Sequence, residues 1–167
     1  MSRVIVLNGP RGVGKTTVLS HLCTLLAGTV AINGDQLRAF APPDARAHLG
    51  GGATYRAAGT LARAYGEMGA ERVVFDFVFL RASHFQRFGE ALPAGTHVQV
   101  FTLWAPLESV VERNEARQGA KPSAWAVRDG YREMQQNIAL MGEIVDNAGS
   151  EPAMTAARIH ELASRRG

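Results

Sequence analysis

Between Gly9 and Thr16 the chain runs Gly9-Pro10-Arg11-Gly12-Val13-Gly14-Lys15-Thr16, the spacing G-x-x-x-x-G-K-[ST]. Glycines at these positions let successive backbone N–H groups turn inward around phosphates. Lys15 carries a point charge toward the β- and γ-phosphates, and the Thr16 hydroxyl supplies a ligand to Mg²⁺. ATP and Mg²⁺ are the expected cofactors, held by Gly9, Gly12, Val13, Gly14, Lys15, Thr16 and Thr17. The context suits the motif: the apolar, β-branched run from Arg3 to Asn8 precedes the loop, and a helical pattern follows it.

Two carboxylates stand where phosphoryl transfer would use them. Asp35, in Asn33-Gly34-Asp35, follows the second strand-like run. It could take the proton of an attacking hydroxyl, or cap the helix that begins at Gln36; both roles stay open. Arg38, one turn later, would face the same cleft as a substrate ligand. Asp76 ends the apolar run Arg72 to Phe77. A bare carboxylate among Val74, Phe75 and Phe77 is costly without a cation or hydrogen-bond donors, so Asp76 is expected to partner Mg²⁺ directly or through another ligand.

The basic residues divide by position. Arg81, in the loop after Asp76, either holds substrate or is solvated. Arg113 and Arg117 are four apart and would project from one helical face. They lead into a polar, glycine-containing stretch at about 118–124 that reads as a short lid. Together they would clamp phosphates and stabilise transition-state charge, or pair with Glu112 or Glu115. Arg128 and Arg132 repeat the spacing, and Trp125 is expected to anchor its helix.

The elements that must position these residues alternate between strand and helix. Strand-like runs cover Arg3 to Asn8, Thr29 to Asn33, Arg72 to Phe77, His97 to Leu103, and weakly Ile144 to Asn147. Helical patterns fall between them, with Gly28 and Gly69 as stops. Residues 41–54, holding Pro42-Pro43 and Gly50-Gly51-Gly52, read as loop or broken helix. Further helices are expected at 83–92, 106–118, from 124 to about 141, and at 151–164. This order implies a five-stranded, mostly parallel sheet with helices on both faces, and in such sheets ligands gather at the carboxyl ends of the strands.

One hundred and sixty-seven residues, 46% of them hydrophobic, suit a single domain spanning 1–167. Met1 to Leu7 is too short for a signal peptide, and no apolar run reaches membrane-spanning length. The single cysteine, Cys23, cannot close an internal disulfide, so a cytoplasmic setting is expected. Sixteen of the eighteen basic residues are arginine, the better residue for bidentate phosphate contacts. They are scattered without interleaved aromatics, which argues against a nucleic-acid surface. The five histidines show no ligand spacing, and surface or packing roles are expected for all of them.

In this order the residues resemble the small P-loop kinases of the shikimate, gluconate and nucleoside-monophosphate kinase type. Ile5 to Gly9, Gly34 to Leu37, and Asp76 to Leu80 resemble chloramphenicol phosphotransferases, in which the aspartate after the second strand is the proposed base. Phe101 to Ala105, Glu112-Arg113, and Ser123 to Ala126 resemble tunicamycin-resistance ATP-binding proteins. The resemblance implies an α/β, three-layer P-loop NTPase fold. It also implies transfer of a phosphoryl group to a hydroxyl of a small molecule, an antibiotic included, with Lys15, Asp35, Arg113 and Arg117 catalytic. Sequestration of a ligand without phosphorylation, or phosphorylation of a nucleotide or polynucleotide, are the alternatives. No N-K-x-D guanine-recognition sequence occurs, which argues against a signalling GTPase. The chain departs from the chloramphenicol enzymes at Phe77, where they carry a second aspartate, and residues 41–54 match neither relative.

Overall fold

The central strands β1 (Arg3–Asn8) and β3 (Arg72–Asp76) are apolar on both faces, which forces layers of helix above and below them. In the computed structural model, which describes residues 3–119 and 121–165, they pair in parallel. β2 (Thr29–Asn33), β4 (Val98–Trp104) and β5 (Glu143–Asp146) complete a sheet of order β2-β3-β1-β4-β5. Every pairing in it is parallel, so the expected "mostly parallel" sheet is wholly so among the described residues.

The period of two along β1 sorts the core. Ile5 and Leu7 face one layer, with Leu22 of α1 (Lys15–Leu25), Val110 of α6 (Leu107–Ala116), Val127 of α7 (Ala124–Gln136) and Ile159 of α8 (Pro152–Arg165). Val4 and Val6 face the other, with Tyr55 and Ala58 of α4 (Ala53–Glu67) and Phe88 of α5 (Ala82–Gly89). A register slip of one residue would exchange the two faces, so burial on both sides pins the register.

The register aligns three strand ends. Asp76 lies beside Leu7 on one side and Asn33 on the other. Immediately beyond these ends come the glycine loop, the short helix α2 (Gly34–Ala39) and the chain after β3. All the polar machinery therefore gathers at the carboxyl edge.

Residues 41–54, expected as loop or broken helix, form helix broken at Gly50 to Gly52. Pro43 opens α3 (Pro43–Leu49), and Gly50, at φ 77°, ends it before α4 begins. Prolines and glycines here set helix ends. The expected helix from 124 to about 141 stops at Gln136, and a 3₁₀ turn covers Ile138–Leu140. No helix among the described residues is long and apolar enough to cross a membrane.

Candidate active site

The glycine loop delivers the N-terminus of α1 to the sheet edge. Gly14, at φ 104°, is the residue before the first helical turn, a conformation that side chains with a Cβ rarely adopt. A methyl group at Gly12 would lie 2.6 Å from the carbonyl oxygen of Val110. The first paired amide of α1 belongs to Val18, which bonds to Gly14 O. Among the described residues the amides of Lys15, Thr16 and Thr17 have no backbone partner and no side-chain cap. Unpaired amides at a positive helix end form an anion site.

Lys15 folds back over this site and donates to the carbonyls of Gly9 (2.9 Å) and Pro10 (3.2 Å). Burial lowers its pKa, opposed first by the carboxylate of Asp76 and then by that of Asp35. Thr16 Oγ1 donates to Asp76 Oδ2 at 2.9 Å, and Asn33 Nδ2 donates to the same oxygen at 3.0 Å. Asp76 is almost fully buried. Burial raises its pKa, and the Lys15 charge and the Thr16 hydrogen bond pull it back.

Asn33 also decides the role of its neighbour. Its Oδ1 accepts from Gln36 N at 2.9 Å, so Asn33 caps α2. The capping role considered for Asp35 is thereby corrected: Asp35 is exposed in the first turn, aimed into the nucleotide cavity with Lys15, Thr16 and Asp76. Phe77 forms the floor beside it. Its ring packs over Gly34 so closely that a methyl there would sit 2.2 Å from a ring carbon.

Two cavities meet over this floor. The first, of about 1020 Å³, runs from the glycine loop past Asp76 to Arg117, Asn147 and Pro152. The second, of about 660 Å³, lies between α3, α4 and α7 and is lined by Arg46, Tyr55, His84, Trp125 and Glu133. Arg11, Arg38, Phe77 and Val78 border both.

The AAA domain family matches this chain over residues 4–140. The chain belongs to the AAA-domain family. Comparison with curated protein sequences finds no match. Among solved structures, the tunicamycin resistance protein of Deinococcus radiodurans superposes with a TM-score of 0.72 at 20% identity, over 98% of this chain and 96% of that one. An unliganded sugar kinase from a Janibacter species gives 0.71 at 19%, over 98% and 95%. A gluconokinase from Sinorhizobium meliloti 1021 gives 0.66 at 18%, over 99% and 97%. At these identities the likeness is one of fold. The fold of this AAA-domain protein is that of the small P-loop kinases, as the sequence resemblance implied.

Within this family member the arginines are placed differently from the expectation. α6 ends at Ala116 and Arg117 has extended backbone angles, so Arg113 and Arg117 do not share a helical face. Arg113 turns inward and donates to the carbonyls of Val13 (3.3 Å), Asn147 (3.0 Å) and Ala148 (2.7 Å). It braces the glycine loop against the chain after β5, and its fork is spent on the backbone. Arg117 lines the nucleotide cavity with Lys121 and Pro122. That stretch is part of the expected lid, of which Ala120 lies outside the described residues. Arg81 lines neither cavity; it pairs at 2.6 Å with Glu133, which lines the second. Arg128 makes a bidentate pair with Glu108. Trp125 is 74% exposed and anchors nothing; the aromatic packing falls to Tyr131, whose ring lies 4.5 Å from that of Trp104.

Several contributors were missed by sequence reasoning. Asn147 is buried; its Nδ2 donates to Val13 O at 2.6 Å and its Oδ1 accepts from Thr155 at 2.7 Å. Asn8 holds the chain after β3 by exchanging hydrogen bonds with the backbone of Phe79. His84, expected in a surface or packing role, packs: it accepts from Leu80 N through Nδ1 at 3.1 Å and stacks on Tyr55 at 4.4 Å. Asn8 and Asn147 leave no spacing signal, because each is placed by a backbone partner distant in the chain, Phe79 and Val13.

The residues present fit ATP and Mg²⁺. Free amides, the Lys15 ammonium and the Thr16 hydroxyl suit a polyphosphate with its cation. No group of three or more His, Cys, Asp or Glu that could cage a metal exists among the described residues. The Thr16 hydroxyl and the Asp76 carboxylate would hold an Mg²⁺ ion, which would supply positive charge against the phosphates.

Proposed function

We propose that this AAA-domain protein is an ATP- and Mg²⁺-dependent phosphotransferase that moves the γ-phosphoryl group to a hydroxyl of a small molecule. The observation that carries the reading is the junction of the two cavities at Arg11, Arg38, Phe77 and Val78. A nucleotide loop beside a separate chamber suits a second substrate. When bound, ATP supplies the phosphoryl group and Mg²⁺ offsets its charge.

The residues of the chain do the rest. The amides of Lys15 to Thr17 and the Lys15 ammonium hold phosphate oxygens where negative charge accumulates. Thr16 and Asp76 hold the cation. Asp35, at the first turn of α2, takes the proton of the acceptor hydroxyl. Arg117 adds positive charge from the lid side. The likeness of fold to a tunicamycin resistance protein supports including antibiotics among the acceptors to be tested.

Incubation of the protein with Mg·ATP and a library of antibiotics and small hydroxy compounds, read by mass spectrometry, tests the reading. A compound that gains a phosphoryl group as ADP forms is the expected result. Compounds that bind and protect the protein from unfolding without ever being phosphorylated would favour sequestration instead.

A further inference from the structure

We propose that His84 selects the acceptor in the second cavity by donating its Nε2–H to an uncharged oxygen, such as a carbonyl, that the acceptor carries apart from its reacting hydroxyl. This rests on the reading of that cavity as the acceptor chamber.

Geometry fixes which ring nitrogen carries the proton. A backbone amide can only donate, and the Leu80 amide lies 3.1 Å from His84 Nδ1. Nδ1 is therefore the bare nitrogen of the neutral ring, and Nε2 holds the hydrogen. The Tyr55 hydroxyl, 3.0 Å from Nδ1, leaves this unchanged, because its own hydrogen has the Val78 carbonyl at 2.7 Å. Burial first, then the charges of Arg81 and Arg87 against Glu133, keep the ring's pKa below the ordinary 6.5.

The ring is also held in place. It stacks on Tyr55 with 16° between the planes, and buried Tyr55 packs edge-on against Phe77 and Phe79. His84 is half-buried on the lining of the second cavity, and among the described residues its Nε2 has no hydrogen-bond partner. A donor withdrawn from water without a partner is unfavourable. Holding the Leu80 amide does not account for the residue type. A side chain at the third position of α5 that bonds back to that amide needs only an acceptor atom, and a glutamate would serve. Histidine holds the amide and keeps a donor on the far side of its ring.

Position says which part of the ligand is read. His84, Tyr55, Leu80 and Trp125 line the second cavity alone, away from its junction with the nucleotide cavity. The contact therefore falls on a part of the acceptor remote from the transferred phosphoryl group. A fixed donor on a largely apolar wall orients a ligand. A neutral N–H brings no countercharge to offset an anion's lost hydration, so an uncharged oxygen is its match. The ligand class is a hydroxy compound with an apolar body and a second, uncharged oxygen.

Binding and transfer are tested separately. The full chain is saturated with Mg²⁺ and a non-hydrolysable ATP analogue, so that the glycine loop is filled. Calorimetry then compares acetophenone with α-methylstyrene, which has the same shape with a CH₂ group in place of the carbonyl oxygen. His84→Asn keeps an acceptor for the Leu80 amide but is too short to place a donor where Nε2 stood; His84→Gln restores one. The preference for acetophenone should fall about threefold or more in His84→Asn, the scale of one neutral hydrogen bond, and return in part in His84→Gln. If His84→Asn does not fold, nitrogen NMR of the unchanged protein decides: acetophenone, and not α-methylstyrene, should shift the Nε2 resonance. The same preference in all three proteins, no binding of acetophenone, or an unmoved Nε2 resonance would each overturn the proposal. Any hydroxy compound of this class that is phosphorylated should show a raised KM with kcat little changed in His84→Asn, and an unchanged KM would count against His84 while leaving the phosphotransferase reading intact. A His84-dependent preference with no transfer to any hydroxy compound would count against the phosphotransferase reading alone.

Discussion

Asn33 and Asp76 end adjacent strands in register, and Asn33 Nδ2 stands 3.0 Å from Asp76 Oδ2. The same Asn33 caps α2 through its other amide atom. One side chain thus orients the carboxylate beside Thr16 and sets the start of the helix that carries Asp35. The cation side and the proton-accepting side of the site are mechanically joined.

Asp76 carries a cost that nucleotide binding should repay. Its pKa is raised, chiefly by burial. A carboxylate raised in the folded state contributes its stability in full below the ordinary value of 3.8 and loses it as pH rises through the folded pKa. Asp76→Asn should therefore stabilise the nucleotide-free protein at neutral pH, with the gain shrinking on acidification through the carboxylate range. The same variant should weaken Mg·ATP binding. Urea unfolding across pH, with calorimetry, checks both; a less stable variant at neutral pH would show that the charge is fully compensated.

Asp35→Asn should leave ATP affinity nearly intact and slow transfer by roughly 10²-fold or more, the usual scale for a general base. Because Asn33 caps α2, the change touches no hydrogen bond that holds the helix. Single-turnover kinetics at saturating ATP and acceptor isolate the chemical step. A near-normal rate there would move the search for the base to other groups of the cleft.

Arg113→Ala distinguishes a brace from a phosphate clamp. The variant loses three hydrogen bonds to backbone carbonyls, and stability should fall by about 1–3 kcal/mol. Nucleotide affinity should fall with it, since Val13 is left with Asn147 as its side-chain donor. Thermal unfolding read alongside nucleotide titration decides. An unchanged unfolding midpoint with a much reduced turnover would restore the clamp.

His84 should gain its proton only below the pH at which an ordinary imidazole does. Burial lowers its pKa first, and the Arg81 charge adds to this against the opposing Glu133. Its Nδ1 already accepts from the Leu80 amide, so the neutral ring carries its proton on Nε2. For a depressed histidine, the stability contribution is full above the ordinary value of 6.5 and is lost as pH falls through the folded pKa. Nitrogen NMR of the ring across this range should show Nδ1 unprotonated below pH 6.5. A ring that titrates at or above its ordinary value would mean that the Leu80 contact does not hold in solution.

Much of the site was legible because its parts are local. The glycine loop needs eight consecutive residues, and its geometry follows from backbone freedom and one helix start. Strand and helix order follows from apolar periodicity, which places Asp35 and Asp76 at strand ends and hence at the ligand edge. The identity of Phe77 already removed a second carboxylate from that edge.

Tertiary structure decided the pairings. Arg113 reads as a clamp when only its helical spacing is known, and becomes a brace because β5 brings the carbonyls of Asn147 and Ala148 beside it. Arg81 is neutralised by Glu133, fifty-two residues away in the chain. Asn33 wins the cap from Asp35 because a neighbouring strand places Asp76 against its other amide atom. Arg38 and Arg46 have no ion pair among the described residues. A charged side chain takes its role from whichever partner the fold brings within hydrogen-bond reach. Spacing along the chain sets that only within a turn of helix or a pleat of strand.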